Sequence, residues 1–443
     1  MPRIYAFALA TAFVAGAALP AAAAEGTKPD LEATIASDYG YLETLYHYLH
    51  RHPELSFQEE NTAKRIATEL EGLGFEVATG IGGHGIVGVM RNGDGPTLLI
   101  RTDLDALPVK EMTGLPYAST AEATEQNGLH VNVMHACGHD VHMTVFVGTA
   151  RRLAALKDQW HGTLVMIGQP AEERGAGAKA MLEDGLFERF PRPDINLALH
   201  VSAGLETGKV AYVPGYALAN VDSVDITVHG IGGHGAYPHT TKDPVVLASE
   251  IVLALQTIAS REIDPQDPVV VTVGSIHGGA KHNVISDRVD MQLTVRSYSD
   301  KTREKVLAAI RRIAVNMGRT MGLPEDLLPE VTIRDEYTPS TYNDPALADR
   351  VAGVLRKALG EARVVKARPV MGGEDFSRYG REGIPSLMLW LGAVAPEKIA
   401  AAERGEITLP SLHSPYFAPV PEPTIKTGVA AMTAAALDIL GDS

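Results

Sequence analysis

Short apolar runs alternate with helical patterns along most of the chain, and this alternation limits the fold more than any other feature. Four runs are long enough for buried strands: 85–90, 97–102, 163–168 and 195–200. Two helical patterns lie between them: about 141–156 and 176–183. Helices between buried strands cover both faces of a sheet. We therefore predict an α/β domain, preceded by two helices between residues 42 and 73, the second opened by a Ser56–Glu59 capping box.

A different pattern interrupts this domain. Strands predicted at 223–229 and 288–296 alternate apolar and polar residues, as half-exposed strands do. With the intervening segments the predicted order is β-α-β-β-α-β, which fits a ferredoxin-like α+β insert. The segments that complete this order are helices at about 244–260 and 301–321 and strands at 269–275 and 331–334. We predict a first domain in two parts, 25–218 and 336–443, with a second domain inserted at 219–335.

The first 24 residues predict a cleaved export signal. Arg3 precedes an apolar run from about 4 to 19, and Ala22 and Ala24 suit signal cleavage before Glu25. A retained membrane anchor is the alternative, and we expect no later stretch to be long and apolar enough to span a bilayer. The protein is therefore expected to be exported, periplasmic or secreted, with no membrane association after cleavage.

Composition narrows the partners and the chemistry. A chain of 443 residues favours two domains, and its net charge of −15 argues against nucleic acid, whose backbone attracts clustered Lys and Arg. The single cysteine, Cys137, cannot form an intramolecular disulfide. Because an exposed thiol is a liability in an oxidising compartment, Cys137 is either buried or held, for example by a metal.

Three segments place metal-type ligands after buried strands, where open α/β sheets build their sites. In the first, Cys137 and His139 flank Gly138, whose flexibility lets the thiolate and the imidazole reach one ion. This donor pair suits zinc, nickel, cobalt or manganese rather than calcium. The alternative is a buried cysteine beside an N-capping Asp140.

Glu172 and Glu173 form the second segment, and His200 ends the third. We expect the two adjacent acids to point in different directions, so that one binds metal while the other exchanges a proton with a metal-bound water. A solvated acidic turn at a helix start is the alternative. His200 is either a ligand or a satisfied core histidine, and His413 carries a weaker signal of the same kind.

Together these segments resemble a known family. The motifs occur in the order RTDLDALP (101–108), HACGHD (135–140), QPAEE (169–173), LALH (197–200), GGEDF (372–376) and LHSP (412–415). Over nearly all residues after the signal, the chain resembles the aminoacylase, hippurate-hydrolase and indoleacetyl-amino-acid-hydrolase branch of the two-metal carboxypeptidase-like superfamily. The resemblance implies a mixed-sheet metallopeptidase-like catalytic domain with an inserted ferredoxin-like lid and dimerisation domain.

The same resemblance implies two divalent metal ions (zinc, manganese, nickel or cobalt) and a ligand set of Cys137, His139, Glu173, His200 and His413. Glu172 would be the general base. Asp103 matches the acid that orients a ligand histidine in the wider superfamily, where a metal-binding histidine stands at the position of Arg101. His139 is expected to replace that ligand, and His142 is a weak competitor.

In the inserted domain, the resemblance implies three substrate-binding residues. His234 matches the histidine that reaches across a dimer to the substrate carbonyl, and Asn283 matches a contact near the substrate carboxylate. Arg296 is the third candidate, although Leu293-Thr294 stands ahead of it where the branch usually has Gly-Thr, and Ser286 stands where it usually has Pro. The histidines at 47, 50 and 52 have no acid or cysteine pattern that completes a site.

The implied activity is hydrolysis of an N-acyl amino acid to a carboxylate and a free amino acid by an exported homodimer. A dipeptidase or carboxypeptidase acting on short peptides is the first rival, because pocket shape sets acyl preference. A non-catalytic exported protein that binds a metal or a peptide is the second, because a fold does not guarantee a function.

Overall fold

The computed structural model describes residue 1 and residues 31–441, so the predicted signal peptide lies outside the described residues except for Met1. The helices of the described part are α1 (Leu31–Arg51), α2 (Glu60–Gly72), α3 (His139–Ala155), α4 (Gly177–Glu183), α5 (Leu186–Arg189), α6 (Pro244–Thr257), α7 (Asp300–Thr320), α8 (Pro345–Leu359), α9 (Ser377–Arg381), α10 (Pro396–Glu403) and α11 (Pro421–Leu440).

The strands of the described part are β1 (Glu76–Ile81), β2 (Gly85–Asn92), β3 (Thr97–Asp103), β4 (Glu122–Thr124), β5 (His130–Asn132), β6 (Gly162–Gln169), β7 (Ile195–Glu206), β8 (Val210–Tyr212), β9 (Gly215–Leu218), β10 (Asn220–His229), β11 (Gly233–His234), β12 (Val270–Gly278), β13 (Val284–Ile285), β14 (Arg288–Ser297), β15 (Glu330–Ile333), β16 (Thr341–Asn343), β17 (Val364–Lys366) and β18 (Ser386–Val394).

The larger sheet is mixed and has the strand order β1-β2-β6-β3-β7-β18-β8-β17. Its centre is parallel, because β3 pairs in parallel with both β6 and β7, and β18 pairs in parallel with β7. Strands β1 and β2 extend it in antiparallel fashion. The predicted α/β class with a mixed sheet is confirmed.

Helices cover both faces of this sheet, and the alternation of side chains along β3 shows how. Leu98 and Ile100 point into a core formed with α1, α3, α8 and α11. Leu99 points to the other face, where Met181 of α4 and Tyr379 of α9 lie. A strand buried on both faces has to be apolar at nearly every position. This explains the apolar residues 98–100, which Arg101 follows.

The smaller sheet has the order β12-β14-β10-β15, with every neighbouring pair antiparallel. Helices α6 and α7 pack on one face of it, where Ile251 and Ile310 meet Val224 in a separate core. The strands and helices follow the predicted β-α-β-β-α-β order. All four strands lie between residues 220 and 333, inside the predicted insert.

Helix α6 departs from the expectation that no segment after the signal could span a membrane. Together with a π-helical turn at Ile258–Glu262, it is long and apolar enough to cross a bilayer by length and composition, and a third of the segment is buried. That expectation is therefore wrong for this helix. Its apolar content has a structural use on one side, because Leu247, Ile251 and Leu255 pack into the core of the smaller domain.

The predicted capping box is also wrong. Helix α2 begins at Glu60, and the hydroxyl of Ser56 donates to a carboxylate oxygen of Asp105 at 2.6 Å instead of capping the helix. The carboxylate of Glu59 accepts from the backbone N–H groups of Phe57 and Ala171 at 2.9 and 2.8 Å. Both side chains thus hold the loops that follow β3 and β6, where the candidate site lies.

Candidate metal centre and active site

The metal centre forms where the parallel strands β3 and β6 end side by side, next to β7, which continues past them to Glu206. Asp103 closes β3 opposite Gln169 of β6, and β7 pairs on the other side of β3. Residues that follow these strand ends meet at one edge of the sheet, outside its carboxyl ends. The turn after β6 supplies Glu172 and Glu173. His200 was expected at the end of its strand, but it lies within β7, because the strand continues to Glu206.

All the ligands predicted from the sequence come together at this edge. The Sγ atom of Cys137 lies 3.5 Å from Nε2 of His200. Glu173 Oε1 is 3.7 Å from Nε2 of His139, and its Oε2 is 3.4 Å from Nε2 of His413. Two overlapping groups, one of Cys137, His139 and His200 and one of Cys137, Glu173 and His413, each have their ligand atoms within 4.8 Å of one another.

Gly138 explains how Cys137 and His139 face the same space. Its φ of +79° lies in the left-handed region, and a Cβ at this position would come within 2.6 Å of Val201 Cγ2. A glycine is therefore required for both conformation and space. Helix α3 begins at the next residue, His139, whose Nδ1 is 2.8 Å from the carbonyl oxygen of Asp105, which directs its Nε2 toward the cluster.

The unsatisfied atoms of this cluster fit metal ions. His139 Nε2 and Glu173 Oε1 are buried and have no hydrogen-bond partner within residues 31–441. Leaving such atoms unpaired costs about 1–3 kcal/mol each. Burial lowers the pKa of His139, but the charge of Asp103 and the hydrogen bond with Asp105 outweigh it and raise that pKa to about 10. A cluster this rich in negative charge, with sulfur, nitrogen and oxygen donors, suits divalent cations.

Glu172 and Glu173 do not point in different directions, so that expectation is wrong. Glu172 Oε2 and Glu173 Oε1 lie 3.9 and 3.7 Å from the same nitrogen, His139 Nε2. The expectation holds for a strand, whereas these acids lie in a 3-10 turn that follows Ala171 at φ 49°. Asp105 fixes the turn by accepting from the backbone N–H of both acids at 3.1 Å. Burial, followed by the charge of Glu374, raises the pKa of Glu172 well above its ordinary value.

Asp103 lies beneath the cluster and holds His142. The Nδ1 of His142 is 2.8 Å from Asp103 Oδ1, and its Nε2 accepts from the backbone N–H of Val201 at 2.8 Å. Both nitrogens of His142 are thereby occupied, which removes it as a competing ligand. Asp103 is fully buried and does not line the cavity described below, so it positions other groups and does not touch a substrate.

Arg101 is the centre of a buried network that the sequence analysis did not foresee. Its guanidinium donates to Gln169 Oε1 at 3.0 Å, to Asp103 Oδ2 at 2.8 Å and to Glu374 Oε1 at 2.9 Å. Asp375 Oδ1 is a fourth partner at 3.4 Å. The sequence signal that could have indicated this network is a cation, Arg101, in an otherwise apolar strand, together with the two adjacent acids of the GGEDF motif.

A cavity of about 560 Å³ opens beside the metal centre, between the two domains. Its lining includes Cys137, Glu172, Glu173, His200 and His413 from the first domain, and Val221, Ser223 and Arg296 from the second. Arg296 is half-buried, and its Nη1 donates to the carbonyl oxygen of Met371 at 2.8 Å. Among the described residues, no carboxylate forms an ion pair with it. Burial lowers its pKa.

His234 and Asn283 lie together, but not in this cavity. Both are exposed on the second domain, where β11 pairs with β13 and Gly235 N–H donates to the carbonyl oxygen of Asn283 at 2.9 Å. The Nδ1 of His234 accepts from the backbone N–H of Ala236 at 3.0 Å. Of the three predicted substrate-binding residues, the fold of one chain brings only Arg296 to the metal centre.

Comparison with known proteins gives consistent matches. Residues 99–437 match the model of the peptidase family M20/M25/M40. A hippurate hydrolase of Campylobacter jejuni is 37% identical over 343 residues, which cover 77% of this chain and 85% of that protein. Thermostable carboxypeptidase 1 of Saccharolobus solfataricus is 37% identical over 348 residues, covering 78% and 84%. The structure of the Bacillus subtilis YxeP protein, described as a dinuclear metal-binding peptidase, aligns with a TM-score of 0.72 at 29% identity, covering 91% of this chain and 99% of that one.

Proposed function

Since the chain belongs to the peptidase family M20/M25/M40, we propose that it is an exported amidohydrolase that converts N-acyl amino acids into a carboxylate and a free amino acid. Family membership makes it a metal-dependent hydrolase of amide bonds rather than a non-catalytic binding protein. Its cofactors are two divalent metal ions, for which the donor groups of the cluster provide the ligands.

The observation that carries the substrate class is Arg296. A half-buried guanidinium with no carboxylate partner among the described residues shares a cavity with Glu172 and the metal ligands. A desolvated cation is costly unless it is paired, and a carboxylate is the geometric match for a guanidinium. A substrate with a free carboxylate beside its amide bond supplies that partner. The hippurate hydrolase among the relatives is named for such a substrate.

Hydrolysis requires a nucleophilic water, a polarised carbonyl and a proton for the leaving nitrogen. Divalent ions bound at the cluster would supply the first two, since a divalent metal polarises an acyl oxygen and lowers the pKa of a water to about 7. Cys137, His139, Glu173, His200 and His413 would hold them. Glu172 accepts the proton of the water and delivers it to the leaving nitrogen. The new bond joins the water oxygen to the acyl carbon, and the C–N bond breaks to release the amino acid.

A homodimer completes the proposal. His234 and Asn283 do not line the cavity of their own chain, which suits residues that serve the site of a partner subunit. Apolar side chains are exposed on the same domain, including Val245, Val246 and Leu253 of α6. Such a face is a candidate interface. In the dimer, His234 of one subunit would donate to the substrate carbonyl oxygen in the other.

The export part of the proposal rests on Arg3, the apolar run after it and the small residues before Glu25. It places the enzyme in the periplasm or outside the cell. The N-terminal sequence of the protein recovered from the extracytoplasmic fraction is expected to begin at Glu25.

Release of free amino acid from a substrate panel tests the activity. The metal-free protein and the protein reloaded with zinc, manganese, cobalt or nickel would each receive N-acetyl and N-benzoyl amino acids, dipeptides and longer peptides. We expect metal-dependent release that is fastest with the acylated amino acids. Faster release from dipeptides, or from the carboxyl ends of peptides, would favour the dipeptidase or carboxypeptidase alternative that the Saccharolobus solfataricus relative represents.

A further inference from the structure

We propose that Glu374 binds the N–H of the scissile amide and holds the leaving nitrogen beside Glu172, so that the enzyme selects amides over esters of the same acid. This inference deepens the proposed function and rests on it.

The two carboxylate oxygens of Glu374 have different surroundings. Oε1 accepts from Nη2 of Arg101 and from the backbone N–H of Phe376, both at 2.9 Å. Oε2 is buried and has no hydrogen-bond partner in the described part of the chain. Glu374 is only 1% exposed, and it lines the cavity. A buried carboxylate oxygen without a donor calls for one from outside the chain.

The position of Glu374 identifies the donor. Carboxylate oxygens of Glu172, Glu374 and Asp375 lie within 4.8 Å of one another, and Glu172 forms a second group with His139 and Glu173. Glu172 therefore stands between the metal ligands and Glu374. Because Glu172 protonates the leaving nitrogen, that nitrogen must come within hydrogen-bonding distance of Glu172, close to the carboxylate of Glu374, whose Oε2 is the oxygen without a donor. The group there that can donate is the amide N–H, which becomes the amine of the product.

The network around Oε1 makes Glu374→Gln an informative substitution. Oε1 faces two donors, Arg101 and the Phe376 N–H, so the side-chain carbonyl of a glutamine has to take that place. Its NH₂ group then stands where Oε2 was, and a hydrogen-bond acceptor becomes a donor. An amide N–H would meet another N–H, whereas the bridging oxygen of an ester would gain a donor.

The experiment compares N-benzoylglycine with its ester analogue, O-benzoylglycolate, which has the same acyl group and the same carboxylate. We expect Glu374→Gln to lower the ratio of amide to ester kcat/KM by at least about tenfold, the usual effect of losing a hydrogen bond to a charged group. Glu374→Met, which removes the acceptor without adding a donor, should lower amide hydrolysis without a gain on the ester.

Asp375→Asn is the matched control. It disturbs the same buried network one residue along the chain, since Asp375 accepts from Arg101, Gln169 and the Ala178 N–H, but Asp375 does not line the cavity. We expect the amide-to-ester ratio to stay within about twofold of wild type, because Asp375→Asn removes no hydrogen bond to the substrate, and losing such a bond would change the ratio by more than about twofold. An unchanged ratio in folded, metal-loaded Glu374→Gln, or an equal fall in Asp375→Asn, would overturn the assignment.

A binding measurement separates this inference from the proposed function. If the wild type cleaves neither benzoyl compound, the proposed substrate class fails, and calorimetric titration with glycine and glycolate still tests Glu374. Glycine should bind at least about tenfold more weakly to Glu374→Gln than to wild type, because its ammonium group loses the carboxylate, while glycolate should not. Equal effects on the two ligands would contradict the assignment.

Discussion

Single side chains at the metal centre are each fixed through one atom and left free at another. His139 is held at Nδ1 by a backbone carbonyl and leaves Nε2 without a partner. Glu173 is held through its backbone N–H by Asp105 and leaves Oε1 without a partner. Outer groups that orient ligands in this way keep a metal site in shape. We therefore expect His139 and Glu173 to hold metal, and Glu172, which is not a predicted ligand, to transfer protons.

The exchange of Glu172 for glutamine tests that separation. We expect Glu172→Gln to keep both metal ions, because Glu172 is not a predicted ligand, while kcat falls by about 10² or more, because glutamine cannot accept the proton. Metal content by mass spectrometry and turnover of N-benzoylglycine provide the measurements. Glu173→Gln is the matched comparison and should lose metal. Near-normal turnover in Glu172→Gln would show that another group transfers the proton.

At the scale of elements, a buried histidine joins helix α1 to helix α3 and to the loop after β3. His50 Nδ1 is 2.6 Å from Asp140 Oδ2, and its Nε2 is 3.1 Å from Glu111 Oε2. Burial lowers the pKa of His50, but the hydrogen bonds with Asp140 and Glu111 outweigh it and raise that pKa from 6.5 to about 9. Asp140 follows the ligand His139, so this ion pair anchors the start of the helix that carries the metal centre.

This pairing predicts a pH-dependent stability. A raised pKa means that the charged His50 stabilises the fold fully below pH 6.5 and loses this effect as the pH rises through about 9. We expect His50→Gln to lower the free energy of unfolding at pH 7 by about 3 kcal/mol or less, and the difference from wild type to shrink by pH 10. Urea unfolding at pH 7, 8, 9 and 10 measures it.

His52→Gln is the control, because His52 is exposed two residues away. The free energy of unfolding of His52→Gln should stay close to that of wild type at every pH. A difference between wild type and His50→Gln that stays constant from pH 7 to 10 would contradict a charged His50.

At the scale of the whole molecule, the cavity exists because the two domains face each other. Arg296 belongs to the inserted domain and Glu172 to the other, and both line the same space. His234 and Asn283 lie on the inserted domain outside that space. A partner subunit would have to bring them to a site, so the proposed reaction depends on assembly as well as on folding.

Mixing two inactive variants tests this dependence. In a mixed dimer of Glu172→Gln and His234→Ala subunits, one site has both an intact Glu172 and a partner with an intact His234. Random exchange of subunits between symmetric dimers should restore about a quarter of wild-type activity. Each variant alone should stay inactive at the same concentration. No recovery after confirmed subunit exchange would show that His234 does not serve the partner's site.

The sequence predicted much of the fold because its periodicity is local. The α/β class of the first domain and the β-α-β-β-α-β order of the insert follow from apolar patterns that each element shows by itself, whereas the mixed sheet was implied by the family resemblance. The predicted capping box at Ser56 and the predicted different directions of Glu172 and Glu173 were wrong for a common reason. Each assumed a local conformation, whereas a carboxylate from another loop, that of Asp105, fixes both segments.

The sequence by itself determined which chemical groups are present and that Glu172 and Glu173 follow a buried strand, since residue type and apolar runs are encoded in short segments. Only the tertiary structure decided which atoms of these groups are left free. Arg101 meets Glu374 across 273 positions of the chain, and a pairing at that distance leaves no periodic pattern in the sequence. Within residues 31–441, the Oε2 of Glu374 without a donor and the Arg296 guanidinium without a carboxylate partner are results of such packing, because each depends on where its neighbours' hydrogen bonds are already used.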